Sequence, residues 1–196
     1  MNLLFQDLLI PGTILKQSEM DGLTGMAFLK RVFFVSDGVM LTQIRKISGI
    51  DSSTLQNWTK RGWVPNSHSK KYDMDQVAHI LIINMLRSCM SLEKIDFLIR
   101  FINGEPEDRS DDIVSDAMLY DYICRIINRI VELGVCDLHS VRDTVSEITC
   151  DYWEPIDGAR DRLNRALEVI VVTHFAARIK HYATDLLDWL EEDEFE

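Results

Sequence analysis

The stretch that decides the fold is residues 40–72, which read MLTQIRKISGIDSSTLQNWTKRGWVPNSHSKKY. Residues 42–48 carry apolar side chains at the spacing of one helical face, and Gly49 ends that pattern. A second helical pattern begins behind Asp51 and two serines, which are good N-cap residues, and runs to Gly62. The stretch therefore predicts two short helices joined by a tight turn, which is a helix-turn-helix.

The second of these helices has an apolar inner side and a polar outer side. Leu55 and Trp58 lie three residues apart and should face the core. The outward side then carries Ser53, Gln56, Asn57 and Lys60. In a helix-turn-helix this end of the second helix meets base edges in the major groove of DNA.

Beyond this unit the sequence predicts a polar connection and two more helices. Pro65 prevents the second helix from continuing, so residues 66–72 form a loop that contains Lys70 and Lys71. Asp73, with Gln76 three residues later, resembles a capping box that starts a third helix, apolar on nearly every side and therefore buried. A fourth helix begins at Ser91 and ends at Asn103-Gly104.

This region is also the basic part of an acidic chain. Residues 40–103 hold nine Lys or Arg and five Asp or Glu, a balance of +4, whereas the rest holds 12 basic and 27 acidic residues, a balance of −15. Such an inversion of sign favours a surface that faces a polyanion. Taken alone, a pair such as Lys70 and Lys71 is more commonly a solvated turn.

Composition and length indicate a folded protein. The chain has 196 residues, 46% of them apolar, enough for one large domain or two small ones. Its first residues lack the basic start of a signal peptide, and no apolar run approaches the ~18 residues of a membrane span, so we expect a cytoplasmic protein without membrane contact. The four cysteines show no CxxC spacing and are expected to be reduced and buried.

The two ends of the chain give less uniform signals. An apolar segment of helical character ends at Pro11-Gly12, and Phe28–Val35 is apolar enough for a buried helix or a strand.

After Gly104 an acid-rich segment leads to Ser110, Asp111 and Asp112, which favour a helix N-terminus over a metal site. Three helices follow: one to about Gly134, one over Asp137–Cys150 with Leu138, Val141, Val145 and Ile148 inward, and one unbroken from Ala159 to Leu190.

Residues spread across the first four helices carry a family resemblance. They are Leu41-Thr42-Gln43-Ile44, Ser48-Gly49-Ile50, Ser53-Thr54-Leu55, Trp58, Arg61-Gly62-Trp63-Val64-Pro65, Lys70-Lys71-Tyr72, Leu86-Arg87 and Ser91-Leu92-Glu93-Lys94-Ile95. In order and spacing they resemble the MerR-type winged helix-turn-helix. More narrowly, the chain resembles an uncharacterised family of Gram-positive bacterial proteins, a domain of unknown function with a MerR-like N-terminal half.

The resemblance implies roles for particular residues. Gln56 and Asn57 stand where MerR-type proteins place a phosphate-contacting arginine and a tyrosine, and amides can instead pair with adenine, each contact being worth roughly 1–3 kcal/mol of discrimination. Lys70 stands at the position of a wing arginine, in a wing that looks short. The resemblance also implies a homodimer formed through a long C-terminal helix, residues 110–133 or 159–190. A helix bundle within one protomer explains the same apolar surface.

Together these expectations define a mostly α protein, a MerR-like winged helix-turn-helix followed by a C-terminal helical bundle. We expect residues 1–39 to be an N-terminal extension, 40–104 a DNA-binding domain and 105–196 a domain for dimerisation or for sensing a small-molecule effector. The expected function is transcription regulation on double-stranded DNA, and the alternative is a protein–protein interaction module. No catalytic motif, cofactor or metal site is predicted. The expected DNA contacts are Thr42, Ser53, Thr54, Gln56, Asn57, Lys60, Arg61, Lys70, Lys71 and Tyr72.

Overall fold

A computed structural model describes residues 8–34, 36–104 and 110–193. Within these ranges the chain forms eight α-helices, a short 3-10 helix (Gln17–Met20) and a sheet of two short strands. The fold is therefore mostly helical, as the sequence predicts. The helices are α1 (Gly25–Val32), α2 (Leu41–Ser48), α3 (Ser52–Lys60), α4 (Met74–Leu86), α5 (Leu92–Asn103), α6 (Asp116–Leu133), α7 (Leu138–Ile148) and α8 (Ala159–Asp193), and the strands are β1 (Val39–Met40) and β2 (Lys71–Tyr72).

The segment that could be helix or strand is the helix α1. Its first turn is held by another element, because the Met26 N–H donates to Asp121 Oδ1 of α6 over 2.7 Å. Gly25 has a φ of +55°, and a Cβ there would lie 2.5 Å from the same Asp121 oxygen. The start of α1 thus needs both a glycine and a carboxylate from a distant part of the chain.

Helices α2 and α3 form as predicted. The turn between them begins at Gly49, which has a φ of +71° and whose N–H donates to the Arg45 carbonyl over 2.9 Å. This left-handed end is the conformation that glycine adopts without steric cost. Leu55 and Trp58 of α3 are each 1% exposed and anchor the helix to the core.

Helix α4 lies at the centre of the molecule and packs against α2, α5, α6 and α8. Its capping box is complete: Asp73 Oδ1 accepts from the Gln76 N–H, and Gln76 Oε1 accepts from the Asp73 N–H. Nearly every following side chain is buried, so α4 has no solvent face. One continuous core runs from Ile10 to Phe175 and includes side chains on both sides of residue 104.

Helix α6 starts later than the sequence predicts. The expected N-cap at Ser110–Asp112 is wrong, because the cap is Ser115, whose hydroxyl accepts from the Met118 N–H over 3.2 Å. The Asn103 side-chain amide binds both backbone groups of Val114 and holds that residue outside the helix. Residues 105–109, which include three of the acidic residues of this segment, lie outside the described part of the chain.

Three smaller expectations are also wrong. Leu138 is 74% exposed, so the buried face of α7 consists of Val141, Thr144 and Val145, with Ile148 half-buried. Leu8–Ile10 is extended beside residues 15–17, with the Ile10 N–H donating to the Leu15 carbonyl, whereas residues 1–7 are outside the described part. All four cysteines are free, but only Cys124 is buried; Cys89, Cys136 and Cys150 are exposed.

Candidate nucleic-acid interface

The outer side of α3 is a polar surface backed by the core. Ser53, Gln56, Asn57 and Lys60 are exposed, and Thr54 is half-buried. The backbone N–H groups of the first turn have no side-chain cap, since the N-cap residue Asp51 makes no such bond. The N–H groups at a helix start can donate hydrogen bonds to phosphate oxygens, and the neighbouring amide and hydroxyl side chains can bind phosphates or base edges.

At the position where the sequence predicts a wing, two short strands form a sheet next to α2. Strands β1 and β2 pair antiparallel, with Val39 opposite Tyr72 and Met40 opposite Lys71. Met40 is also the N-cap residue of α2, so the pairing brings Lys71 next to the start of the helix-turn-helix. Lys70 and Lys71 are exposed, and Ser69 and Lys70 have positive φ values of 50° and 63°. The strained tip presents two cations on a short rigid support.

Two side chains of α4 hold the connection between α3 and β2 in place. The Gln76 side-chain amide donates to the Asn66 carbonyl over 2.9 Å, and His79 Nε2 lies 2.8 Å from the Trp63 carbonyl oxygen. His79 Nδ1 lies 3.1 Å from Asp116 Oδ2 of α6. Because both neighbours are acceptors, both ring nitrogens must carry protons.

The charge state of His79 follows from that geometry. Burial by itself lowers the pKa of His79, but the hydrogen bond and negative charge of Asp116 outweigh burial, so the pKa is raised above its usual value. His79 is thus an imidazolium in a buried ion pair with Asp116. It ties the loop that carries the wing to the N-terminal end of α6.

A shallow concavity joins α3 to the turn between α4 and α5. It is lined by Ser53, Thr54, Asn57, Trp58, Arg87, Met90, Ser91 and Leu92. The Arg87 guanidinium lies over the buried Trp58 ring, 5.7 Å from its centroid, which fixes a cation beside the polar face of α3. Ser91 is exposed at the start of α5 and makes no side-chain cap bond.

The structure therefore brings together some of the predicted contacts and separates others. Ser53, Thr54 and Asn57 share the concavity, whereas Gln56 and Lys60 are exposed outside its lining. Thr42 is exposed near the start of α2. Arg61 is exposed, but its guanidinium lies 5.1 Å from the centroid of the Trp63 ring.

One predicted contact is in the wrong place, and two candidates were missed. Tyr72 is 7% exposed and belongs to the core under the wing, because the strand register that exposes Lys71 turns the next side chain inward. The sequence places Arg87 and Ser91 within the family resemblance but predicts no DNA contact for either residue. Their position beside α3 depends on how α4 packs, which no local pattern reveals.

Comparison with known proteins identifies the same part of the chain. Residues 28–123 match the domain of unknown function DUF1836. A curated relative, the uncharacterized protein YkrK of Bacillus subtilis (strain 168), is 27% identical over 96 residues, which are 47% of this chain and 41% of that protein. The match thus spans less than half of the relative. No solved structure matches.

The matched region contains most of α1, all of α2 to α5 and the first part of α6, and so includes the whole candidate interface. Among the described residues, no helix is both long and apolar enough to cross a lipid bilayer.

Proposed function

We propose that this protein is a DNA-binding transcription regulator, similar to MerR-type proteins, that binds double-stranded DNA as a homodimer. The observation that carries the proposal is an exposed, polar and basic helix-turn-helix on a strongly acidic molecule. The charge balance is +4 over residues 40–103 and −15 elsewhere. Phosphates attract the first region and are repelled by the second, so the approach of a duplex is oriented.

In this proposal α3 enters the major groove. Gln56 and Asn57 are the base-reading residues, because their amides offer a donor and an acceptor together. Lys60 and Arg61 contact adjacent phosphates, and Lys70 and Lys71 contact the flanking backbone from the wing. Arg87 and Ser91 add a phosphate position at the other edge of α3, where the Trp58 ring restrains the guanidinium.

The proposed dimer rests on the outer face of α8. Apolar residues recur there at alternating intervals of three and four, and all of them are exposed: Val169, Val172, Ala176, Ile179, Ala183, Leu186 and Leu190. We call this set the α8 seam. Such spacing over about three heptads is the pattern by which one helix packs against another in a coiled coil. The apolar face suits a second copy of this chain, which presents the same face.

The first experiment measures DNA binding and its salt dependence. Selection from a random duplex pool, followed by anisotropy titrations at two salt concentrations, should yield a preferred site whose affinity falls as salt rises. Lys70→Ala should weaken binding to all duplexes and lower the salt slope by about 1. Arg165→Ala, a matched loss of an exposed cation on α8, should leave binding unchanged.

The second experiment separates base reading from backbone contact. Gln56→Ala and Asn57→Ala should relax the sequence preference at one position each, by roughly 1–3 kcal/mol, and leave the salt slope unchanged. If both variants keep the wild-type preference, α3 is not the reading helix.

The third experiment tests the dimer. Ile179→Asp places a charge in the centre of the α8 seam and should give a folded monomer in analytical ultracentrifugation. Asp188→Ala, on the same helix but outside the seam, should leave the dimer intact. If the wild-type protein is a monomer at every concentration measured, the homodimer is removed from the proposal.

A second candidate is a helical interaction module that binds no nucleic acid. The α8 seam favours it, because a large exposed apolar face serves a protein partner as well as a second copy. A folded, dimeric protein that fails to bind duplex DNA at low as well as high salt would select this candidate.

A further inference from the structure

A cavity lies between the N-terminal loop, the C-terminal end of α4 and α8. Its volume is about 650 Å³, within the usual range of small-molecule sites. Apolar wall is supplied by Ile10, Pro11 and Met85, and polar groups by Asn84 of α4 and by His174 and Arg178 of α8. The cavity thus combines an apolar body with a few converging polar groups.

His174 is the most informative group in this wall. Its side chain is 8% exposed, and its ring lies edge-on to the Phe175 ring, with the two centroids 5.4 Å apart. Burial, together with the positive charge of Arg178, lowers the pKa of His174 to about 3, so the ring is neutral near pH 7. A neutral imidazole offers one donor and one acceptor, which a ligand in the cavity can use.

Asn84 connects the cavity to the helix-turn-helix. Its Nδ2 donates to the Gly12 carbonyl in the cavity wall and to the Ser48 carbonyl at the end of α2, both over 2.9 Å. Its Oδ1 is buried and accepts no hydrogen bond from the described residues. A shift of Gly12 on filling of the cavity would therefore be transmitted to the turn that precedes α3.

The charges around the cavity define the class of ligand. Arg178 and Lys180 contribute two positive charges, and Asp185, the acidic residue among the lining residues described, has His181 Nδ1 at 3.4 Å. Lys180 Nζ is held by the Ser88 carbonyl over 2.9 Å. A guanidinium has five N–H donors, more than one acceptor can use, so Arg178 can take an additional carboxylate.

We propose that this cavity binds a small organic acid with an apolar body, and that binding alters the α2–α3 turn through Asn84. The carboxylate lies toward Arg178 and Lys180, the apolar part lies along Ile10, Pro11 and Met85, and His174 binds a polar group of the ligand. Ligand binding stands independently of DNA binding. The inference that the ligand regulates DNA binding rests on the proposed function.

The test uses the full chain, labelled with ¹⁵N and titrated with sodium hexanoate, against sodium chloride at equal ionic strength. Hexanoate should cause saturable amide shifts at Gly12, at Gly49 and in the Asn84 side chain. Hexanamide has the same shape without the charge and should bind at least about tenfold more weakly, as expected for a lost charged hydrogen bond.

Matched variants locate the site. Ala177→Leu fills the cavity and should abolish the saturable shifts, whereas Ala176→Leu, on the exposed side of the same helix, should leave them unchanged. His174→Phe keeps the ring volume, removes the polar atoms and should weaken binding about fivefold. The dispersed amide spectrum of each variant reports whether it is folded.

Several results would overturn the inference. They are the absence of saturable shifts with hexanoate, an equal response to hexanamide, and equal binding by Ala177→Leu and Ala176→Leu. Shifts in the cavity without any at Gly49 would remove the coupling to the helix-turn-helix. A protein that binds hexanoate but no DNA would lose the regulator function and keep this site, so the two failures are distinguishable.

Discussion

Helices α4 and α8 bury their apolar side chains in different ways. Every face of α4 is covered by the chain's own elements, and Leu81, Ile82 and Leu86 are fully buried. In the first half of α8, Leu163, Leu167 and Ile170 are buried in the same way. From residue 176 to 191, however, none of its side chains is buried, although the apolar spacing continues.

The difference distinguishes apolar surface that is buried within one chain from apolar surface that is left exposed to solvent. The 35 residues of α8 span about 52 Å, whereas the 13 residues of α4 span about 20 Å. The outer half of α8 keeps apolar residues that gain nothing from exposure to water. We interpret this as the mark of a partner, which is why the α8 seam carries the proposed dimer. Three predictions test the contrast between the two helices.

The largest expected effect is on stability. Leu81→Ala should lower the free energy of unfolding by about 2–5 kcal/mol at any protein concentration, because it leaves a cavity inside the chain's own core. Leu186→Ala should lower it only at concentrations where the dimer forms. Urea denaturation at two protein concentrations measures both, and a concentration-independent loss for Leu186→Ala would contradict the contrast.

The second effect concerns the buried histidine of α8. The pKa of His174 is lowered to about 3 in the folded protein, whereas the usual pKa of histidine is near 6.5. Between pH ~3 and pH ~6.5 the unfolded chain therefore binds one more proton than the folded chain. The stability from the neutral ring is present above pH ~6.5 and is lost as the pH falls, amounting to about 2 kcal/mol at pH ~5. His174→Gln should remove this part of the acid destabilisation in urea titrations across that window.

The smallest effect concerns the buried histidine of α4 and has the opposite sign. The pKa of His79 is raised, because Asp116 outweighs the effect of burial. Its contribution to stability is fully present below pH ~6.5 and is lost as the pH rises through the raised value. Since burial offsets part of the effect of Asp116, the change should be smaller than for His174.

The measurement for His79 compares wild type with His79→Gln in urea titrations at about pH 6 and about pH 9. The difference in unfolding free energy between the two proteins should shrink at the higher pH. A difference that is constant with pH would mean that His79 is neutral in the folded state. His139→Gln, on the exposed side of α7, serves as the control.

Much of the fold could be predicted because its signals are local. The glycine at residue 49, the Asp73–Gln76 capping box and the apolar spacing of α8 each depend on neighbours within one or two turns. The start of α6 could not be predicted, because Asn103 holds Val114 from a different helix. The burial of Tyr72 depends in the same way on pairing with Val39 across the sheet.

The candidate interface divides along the same line. The polar side of α3 follows from its own periodicity, so Gln56, Asn57 and Lys60 were predicted and are exposed. Arg87 and Ser91 join them only through the packing of α4 and α5. The cavity at His174 combines three segments from distant parts of the chain, and its histidine has no neighbouring motif that would mark it.

The sequence by itself determined most of the helices, the turn after α2 and the region of positive charge, because hydrophobic period, capping and charge are properties of short segments. Only the tertiary structure decided which residues meet: Arg87 with α3, His79 between Trp63 and Asp116, and His174 inside a cavity. The physical reason is that burial and hydrogen bonding between distant segments depend on the whole core, which forms only when the helices pack.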